Sequence, residues 1–66
     1  MKLMPKIREK RMEAHLTQTQ LAQSIGMNRS QLSLIENGKH YPLPIALWQF
    51  SRACNCKVDD LYEFVE

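Results

Sequence analysis

The sequence predicts an all-α fold of five short helices, and three observations indicate it. Two helix-start patterns occur within residues 16–39, and each helix that they open is followed by a glycine that can end it. Pro44 can open a further helix. The chain has 66 residues, 44% of them hydrophobic, which is enough for one small core. We therefore expect a single domain over residues 1–66.

The first helix is predicted over residues 5–14. Pro5 can open it, because the N–H that proline lacks has no partner in a first helical turn. Ile7, Arg11 and Ala14 then share one face. Since an arginine on an apolar face is costly without a partner, we expect a carboxylate to meet Arg11.

The second helix is predicted to begin at Thr17 and to end near Ile25. Thr17 and Gln20 have the spacing of a capping box, in which each residue satisfies a backbone N–H of the other. Gly26 follows, and glycine readily adopts the left-handed conformation that stops a helix.

The third helix is predicted over residues 29–37 by a repeat of the same signals. Asn28 and Gln31 have capping-box spacing, and Gly38 provides the left-handed stop. The second and third helices, joined by a short turn with a glycine, together form a helix-turn-helix at about residues 17–37.

The fourth helix is predicted to begin at Pro44 and to stop at Asn55, with a short fifth helix from Asp59 to about Tyr62. The fourth has Leu47, Phe50 and Cys54 on one face. The fifth is indicated by two aspartates, Asp59 and Asp60, which suit the positive end of a helix. The chain ends, residues 2–4 and 62–65, either pair as short strands or fray, and we favour a small pairing.

The outer face of the third helix has the side chains of a base-reading surface. Arg29, Ser30, Ser33 and Leu34 cluster there, and the face carries no acidic residue. These side chains suit guanine edges, mixed donors and acceptors, and thymine methyl groups. The alternative is an ordinary solvated helix surface, and for Leu34 incidental exposure is as good an explanation.

Four polar residues are candidates for contacts to DNA phosphates: Gln18, Asn28, Asn37 and Lys39. Gln18 and Asn28 stand at helix N-termini, whose N–H groups and partial positive charge attract anions. For Asn37 and Lys39, a helix cap and a solvated lysine are equally good explanations.

The charge distribution is compatible with a polyanionic partner. Residues 1–40 hold seven Lys or Arg and three Asp or Glu, a balance of +4. Residues 41–66 hold two and four, a balance of −2. A basic surface that is merely solvated is an equal alternative. The longest suggestive apolar stretch, residues 43–50, is far shorter than a bilayer span, so we expect a soluble protein. Cys54 and Cys56 are separated by one residue and no secretory leader is recognised, so we expect no disulfide framework and a cytoplasmic location.

The remaining polar residues do not form a site for metal or catalysis. His15, His40, Cys54 and Cys56 lack the paired spacing of a zinc site, so we expect no metal and no cofactor. Redox sensing by a cysteine requires an exposed, acidic thiol. No nucleophile, base and orienting residue form a catalytic arrangement, so an enzyme is not expected.

The segment LTQTQLAQSIGMNRSQLSLIENGK, residues 16–39, resembles the helix-turn-helix of the phage repressor and Cro (Xre) family. The resemblance implies a lambda-repressor-like fold in which Arg11 pairs with Glu36. It also implies phosphate contacts by Gln18, Asn37 and Lys39 and base contacts by Arg29, Ser30, Ser33 and Leu34. Many relatives have glutamines at the positions of Arg29 and Ser30, so the operators of the family cannot be transferred to this chain.

We therefore expect a sequence-specific transcriptional regulator, a repressor that binds double-stranded DNA at an inverted repeat as a homodimer. The candidates for the dimer interface are Trp48, Leu61, Tyr62 and Phe64, although Trp48 is also compatible with a place in the core. The alternative function is a protein-interaction module, such as an antitoxin-like partner, with secondary DNA contact.

Overall fold

The computed structural model describes residues 2–66, which form four α-helices, one short 3-10 helix and a two-stranded antiparallel sheet. In chain order the elements are β1 (Lys2–Pro5), α1 (Ile7–Glu13), α2 (Gln18–Ser24), α3 (Arg29–Glu36), α4 (Pro44–Ala53), the 3-10 helix (Val58–Asp60) and β2 (Tyr62–Val65). Among the described residues, no helix has the length and apolar character needed to cross a membrane.

The predicted starts of α2 and α3 are confirmed. Thr17 Oγ1 accepts a hydrogen bond from Gln20 N at 3.0 Å, and Gln20 Oε1 accepts one from Thr17 N at 2.8 Å. Asn28 and Gln31 form the same reciprocal pair at 2.8 and 3.0 Å. These caps are local, so each helix start is fixed by residues only three positions apart.

All four helices end at a residue with positive φ, and the predicted stops at Gly26, Gly38 and Asn55 are confirmed. Their φ angles are 72°, 76° and 54°, and His15 has a φ of 60° at the end of α1. Each of these turns is closed by backbone hydrogen bonds, as where Met27 N donates to Ala22 O at 3.0 Å. The turn between α2 and α3 is therefore tight.

The prediction that Pro5 opens the first helix is wrong. Pro5 is the last residue of β1, where it pairs with Tyr62, and α1 begins only at Ile7. Lys6 N donates to Leu61 O at 2.7 Å, which continues the strand pairing one residue further. Pairing with the C-terminal strand thus keeps residues 2–5 extended. The helix-start preference of Pro5 is local and does not include this distant partner.

The fifth helix is also shorter than predicted, because only one 3-10 turn forms at Val58–Asp60. Asp60 Oδ2 accepts a hydrogen bond from Lys57 N at 3.2 Å and caps this turn. Leu61 then enters the core, and Tyr62–Val65 pairs with β1 in the register Leu3 opposite Phe64. The predicted pairing of the chain ends is confirmed, and it takes the residues that a longer helix would need.

A single apolar cluster holds the helices and the sheet together. The sheet contributes little to it directly, whereas every α-helix supplies at least one buried side chain. Its members are Ile7, Leu21, Ala22, Leu32, Ile35, Phe50, Cys54 and Leu61. Complete burial of a Leu, Ile or Phe side chain contributes about 1.5–3 kcal/mol, so this cluster is the main source of stability.

Candidate nucleic-acid interface

The helix α3 divides into a buried and an outward face. Leu32, Ile35 and Glu36 are buried against the rest of the domain. On the other side, Arg29, Ser30 and Leu34 are exposed, and Ser33 is half-buried. The four predicted base-reading residues therefore lie on one helix, and three of them have exposed side chains.

The exposed face adjoins a shallow cleft between the end of α1 and the starts of α2 and α3. The cleft has a volume of about 540 Å³ and is lined by Arg11, Met12, residues 16–19 and Arg29. Gln18, predicted to contact phosphate, and Arg29, predicted to read bases, thus share one concave surface. The helix-turn-helix geometry brings them together, because they are the first residues of α2 and α3.

The four predicted phosphate-binding residues differ in their surroundings. Asn28 uses its side-chain oxygen to cap α3, and Lys39 is exposed just beyond the end of that helix. Gln18 Nε2 donates to Glu36 Oε1 at 2.9 Å, and Asn37 Oδ1 accepts from Arg8 Nη2 at 2.9 Å. Three of the four side chains therefore already have hydrogen-bond partners within the domain, two of them residues of distant helices.

Glu36 is the centre of a polar cluster beneath the exposed face. Its side chain is fully buried, and Arg11 Nε donates to Glu36 Oε2 at 2.7 Å. Arg11 also donates from Nη1 to Leu16 O at 2.9 Å, which ties the loop before α2 to the same guanidinium. The carboxylate that Arg11 requires thus comes from the last turn of α3, so the ion pair joins the first helix to the third.

Arg8 also belongs to this cluster, and the sequence reasoning missed it. Its Nε lies 3.6 Å from Glu36 Oε1, while its Nη2 donates to Asn37. A signal for it was present, because Arg8 and Arg11 are three residues apart and therefore lie on the same side of a helix. Two arginines of α1 thus meet two consecutive residues at the end of α3.

The candidates for a dimer interface do not form one surface. Leu61 has no exposed surface at all, so its assignment to an interface is wrong and it belongs to the core. Trp48 is 53% exposed, which excludes a place in the core, and the guanidinium of Arg52 lies 5.0 Å from its ring centroid. Phe64 is 70% exposed and Tyr62 is half-buried beside it in β2.

Tyr62 and Phe64 line an apolar groove of about 550 Å³. The other lining residues come from β1, the loop before α4, α4 and the 3-10 helix: Leu3, Tyr41, Pro42, Leu47, Val58 and Asp59. The hydroxyl of Tyr62 is buried and has no hydrogen-bond partner within residues 2–66. Burial, together with the neighbouring Tyr41, raises the pKa of Tyr62, so its phenol stays protonated at neutral pH.

Neither cysteine has the properties of a reactive thiol. Burial, with a smaller contribution from Cys56, raises the pKa of Cys54 from 9.0 to about 11. Burial is the largest cause that raises the pKa of Cys56, and the negative charge of Asp60 adds to it. Both thiols are therefore protonated at neutral pH. Over the described part of the chain, no three His, Cys, Asp or Glu side chains are grouped as metal ligands.

Comparisons with known proteins identify relatives of this chain. Residues 7–61 match a family described as helix-turn-helix. A 10 kDa protein of the ImmF control region of Bacillus phage phi105 is 53% identical over 36 residues, which cover 54% of this chain and only 40% of the phage protein. An uncharacterized HTH-type transcriptional regulator of Archaeoglobus fulgidus is 31% identical over 61 residues, covering 92% of this chain and 86% of the archaeal protein.

A solved structure has the same fold. The restriction-modification controller protein C.AhdI from Aeromonas hydrophila superposes with a TM-score of 0.76 over 83% of this chain and 80% of C.AhdI. The sequence identity is 24%, so this similarity concerns the fold.

Proposed function

This chain belongs to the Xre-type helix-turn-helix family of DNA-binding transcriptional regulators, and we propose that it is a repressor that binds an inverted-repeat operator as a homodimer. The observation that carries the proposal is the outward face of α3. Arg29, Ser30 and Leu34 are exposed there, and no acidic side chain lies among them to repel DNA.

In this proposal the outward face of α3 enters the major groove and reads bases. Arg29 is suited to donate two hydrogen bonds to a guanine, and Leu34 can contact a thymine methyl group. Ser30 and Ser33 offer hydroxyls that pair with donors or acceptors. Leu34 is 39% exposed, which leaves enough of its side chain accessible for an apolar contact.

Phosphate contacts would hold the recognition helix in register. The support is that Gln18 lines the same cleft as Arg29, while Lys39 is exposed just past the far end of α3. Contacts on both sides of the groove fix the orientation of a helix without reading sequence. A protein with this role works where the DNA is, which supports a cytoplasmic location.

The proposed homodimer uses the groove beside β2. Phe64 is 70% exposed next to an apolar groove, and an exposed apolar patch of this kind is typical of a protein–protein contact. None of the residues lining the groove lines the cleft near Arg29. Two copies would present two recognition helices to half-sites about 34 Å apart, one turn of DNA.

The DNA-reading proposal is tested by selecting bound duplexes from a random pool and then measuring affinities of variants. We expect Arg29→Ala to weaken binding by about 1–3 kcal/mol and to relax preference at one base position. Ser33→Ala should relax another position. Arg52→Ala, an exposed arginine on α4, is the matched control and should bind like the wild type. Unchanged specific binding by Arg29→Ala would reject the proposal.

The dimer proposal has its own test in analytical ultracentrifugation. Phe64→Glu should shift the wild-type dimer to a monomer, because a charge is costly in an apolar contact. Ile45→Glu is the control, since Ile45 is 67% exposed and does not line the groove. A monomeric wild type bound one to one on its selected DNA would reject the homodimer. Capture of a different protein through the groove, with DNA binding unaffected by Arg29→Ala, would favour an interaction module.

A further inference from the structure

We propose that Arg8 is a positioning residue for base reading, which orients the side-chain amide of Asn37 toward Ser33 and thereby presents the hydroxyl of Ser33 to DNA as a hydrogen-bond donor. The inference rests on the proposed function, because it assigns a role within the same DNA-reading face. Arg8 itself is on α1 and is not among the residues expected to touch bases.

Arg8 is anchored at two points. Its Nη2 donates to Asn37 Oδ1 at 2.9 Å, and its Nε lies 3.6 Å from Glu36 Oε1. The first contact is a hydrogen bond and the second is an ion pair, and together they favour one orientation of the guanidinium. The carboxylate is itself held, because Arg11 Nε lies 2.7 Å from it and Gln18 Nε2 lies 2.9 Å from it, and its side chain is fully buried. Arg8 therefore presents a donor to Asn37 while its Nε lies beside a carboxylate that is itself held.

The contact with Arg8 decides which way the amide of Asn37 points. A guanidinium has only donors, so the atom of Asn37 that faces it must be the oxygen, Oδ1. The amide nitrogen, Nδ2, then lies on the opposite side, where it is 3.4 Å from Ser33 Oγ. This is a long hydrogen bond, and without Arg8 the amide can rotate and offer either atom to Ser33.

The orientation of Asn37 affects what Ser33 can offer to a base. A serine hydroxyl has one donor and two lone pairs, and accepting from Asn37 uses one lone pair and directs the hydrogen away from Asn37. Ser33 is half-buried on the outward face of α3, and in our proposal its hydrogen points toward the groove. Guanine, adenine and thymine each present an acceptor in the major groove, whereas cytosine presents an amino donor. We therefore expect the base opposite Ser33 to be selected against cytosine.

The variant that tests this is Arg8→Met, with Lys10→Met as the matched control. Lys10 lies on the same helix, and its ammonium pairs with Glu13 at 3.5 Å. Binding is measured to the selected duplex and to duplexes with each base at the position that Ser33→Ala relaxes. We expect Arg8→Met to reduce discrimination against cytosine at that position by about two- to tenfold, the contribution of one hydrogen bond. Lys10→Met should leave it unchanged.

A direct phosphate contact by Arg8 predicts different results. It would weaken binding equally for every base, lower the salt dependence of affinity by about one ion, and be restored by Arg8→Lys. Positioning leaves the salt dependence unchanged and changes the affinity only through the base opposite Ser33. Uniform weakening or unchanged discrimination in Arg8→Met would overturn the role of Arg8.

A measurement on the free protein separates this proposal from the proposed function. The side-chain amide signals of Asn37 are recorded in a nitrogen–proton correlation spectrum of each protein. Relative to the wild type, they should shift in Arg8→Met and stay in place in Lys10→Met. If the amide signals of Asn37 do not shift in Arg8→Met, the positioning role is overturned. A wild type with no preferred duplex would instead reject DNA reading itself.

Discussion

Replacing Arg11 by methionine removes one side of a buried ion pair while keeping most of the volume of the side chain. In the wild type, Glu36 has no exposed side-chain surface and Arg11 Nε lies 2.7 Å from its carboxylate. Breaking such a pair from one side typically costs about 3–5 kcal/mol, because a buried charge is left without its partner. Gln18 at 2.9 Å and Arg8 at 3.6 Å remain near the carboxylate. We therefore expect the lower end, about 3 kcal/mol.

The assay is thermal and urea unfolding followed by circular dichroism of the helices at one protein concentration. For a domain of this size, a loss of about 3 kcal/mol lowers the melting temperature by about 12–24 °C. Arg52→Met is the control, since Arg52 is exposed and contacts Trp48 through a cation–π interaction. Its loss should cost less than about 1 kcal/mol.

A double variant tests the reason for the effect. Arg11→Met combined with Glu36→Leu removes both charges, and replacing a whole buried pair by apolar side chains is often neutral or stabilising. The double variant should therefore be more stable than Arg11→Met alone. A melting temperature of Arg11→Met close to that of the wild type, or a double variant less stable than the single one, would refute the reasoning.

Three further predictions concern the turns and the buried thiol. Gly26→Ala should lower the free energy of unfolding by about 1–2 kcal/mol, the cost of a left-handed φ for a residue with a Cβ. No steric clash adds to this cost, because the new methyl group meets no atom within 4 Å. An unchanged midpoint in urea would contradict this. His15→Gly should raise the urea midpoint, since His15 has a φ of 60° that glycine adopts without strain, and a lower midpoint would show that the imidazole makes a stabilising contact. Because burial raises the pKa of Cys54 from 9.0 to about 11, the folded state keeps a proton that the unfolded state loses. This contribution to stability is complete below pH 9 and is lost as the pH rises to about 11. The difference in free energy of unfolding between the wild type and Cys54→Val should therefore change only between these pH values. A difference that stays constant across this range would contradict the assignment.

The helix-turn-helix could be predicted from the sequence because its signals are local. Thr17 with Gln20 and Asn28 with Gln31 fix the helix starts through bonds across three residues, and Gly26 ends α2. The alternation of buried and exposed residues along α3 follows from the helical period alone. Such features do not depend on what the rest of the chain does.

The ends of the chain could be predicted only in part, because distant residues compete for them. Pro5 has a local preference for a helix start, yet the pairing with Tyr62 keeps it extended. The aspartates after Lys57 favour a helix, but burial of Leu61 and the pairing of β2 limit it to one turn. Each outcome is decided by a partner at the other end of the chain, which no local pattern contains.

The polar cluster around Glu36 could also be predicted only in part from the sequence. The need of Arg11 for a carboxylate followed from its apolar face, but its partner was supplied by family resemblance. The spacing of Arg8 and Arg11 placed the two arginines on the same side of α1, but it did not identify a partner for Arg8, because an arginine at the edge of a helix is usually solvated. Its contact with Asn37 depends on how α1 packs beside the end of α3, which is a property of the assembled fold.

The pairing of β1 with β2 has a consequence for the order in which the molecule folds. Its partners, such as Lys2 and Val65, are separated by nearly the whole chain, whereas the helix caps join residues only a few positions apart. Closing so long a loop is entropically costly until the helices have collapsed around their core. The sheet should therefore form after the rate-limiting step, so that weakening it accelerates unfolding and leaves the refolding rate almost unchanged.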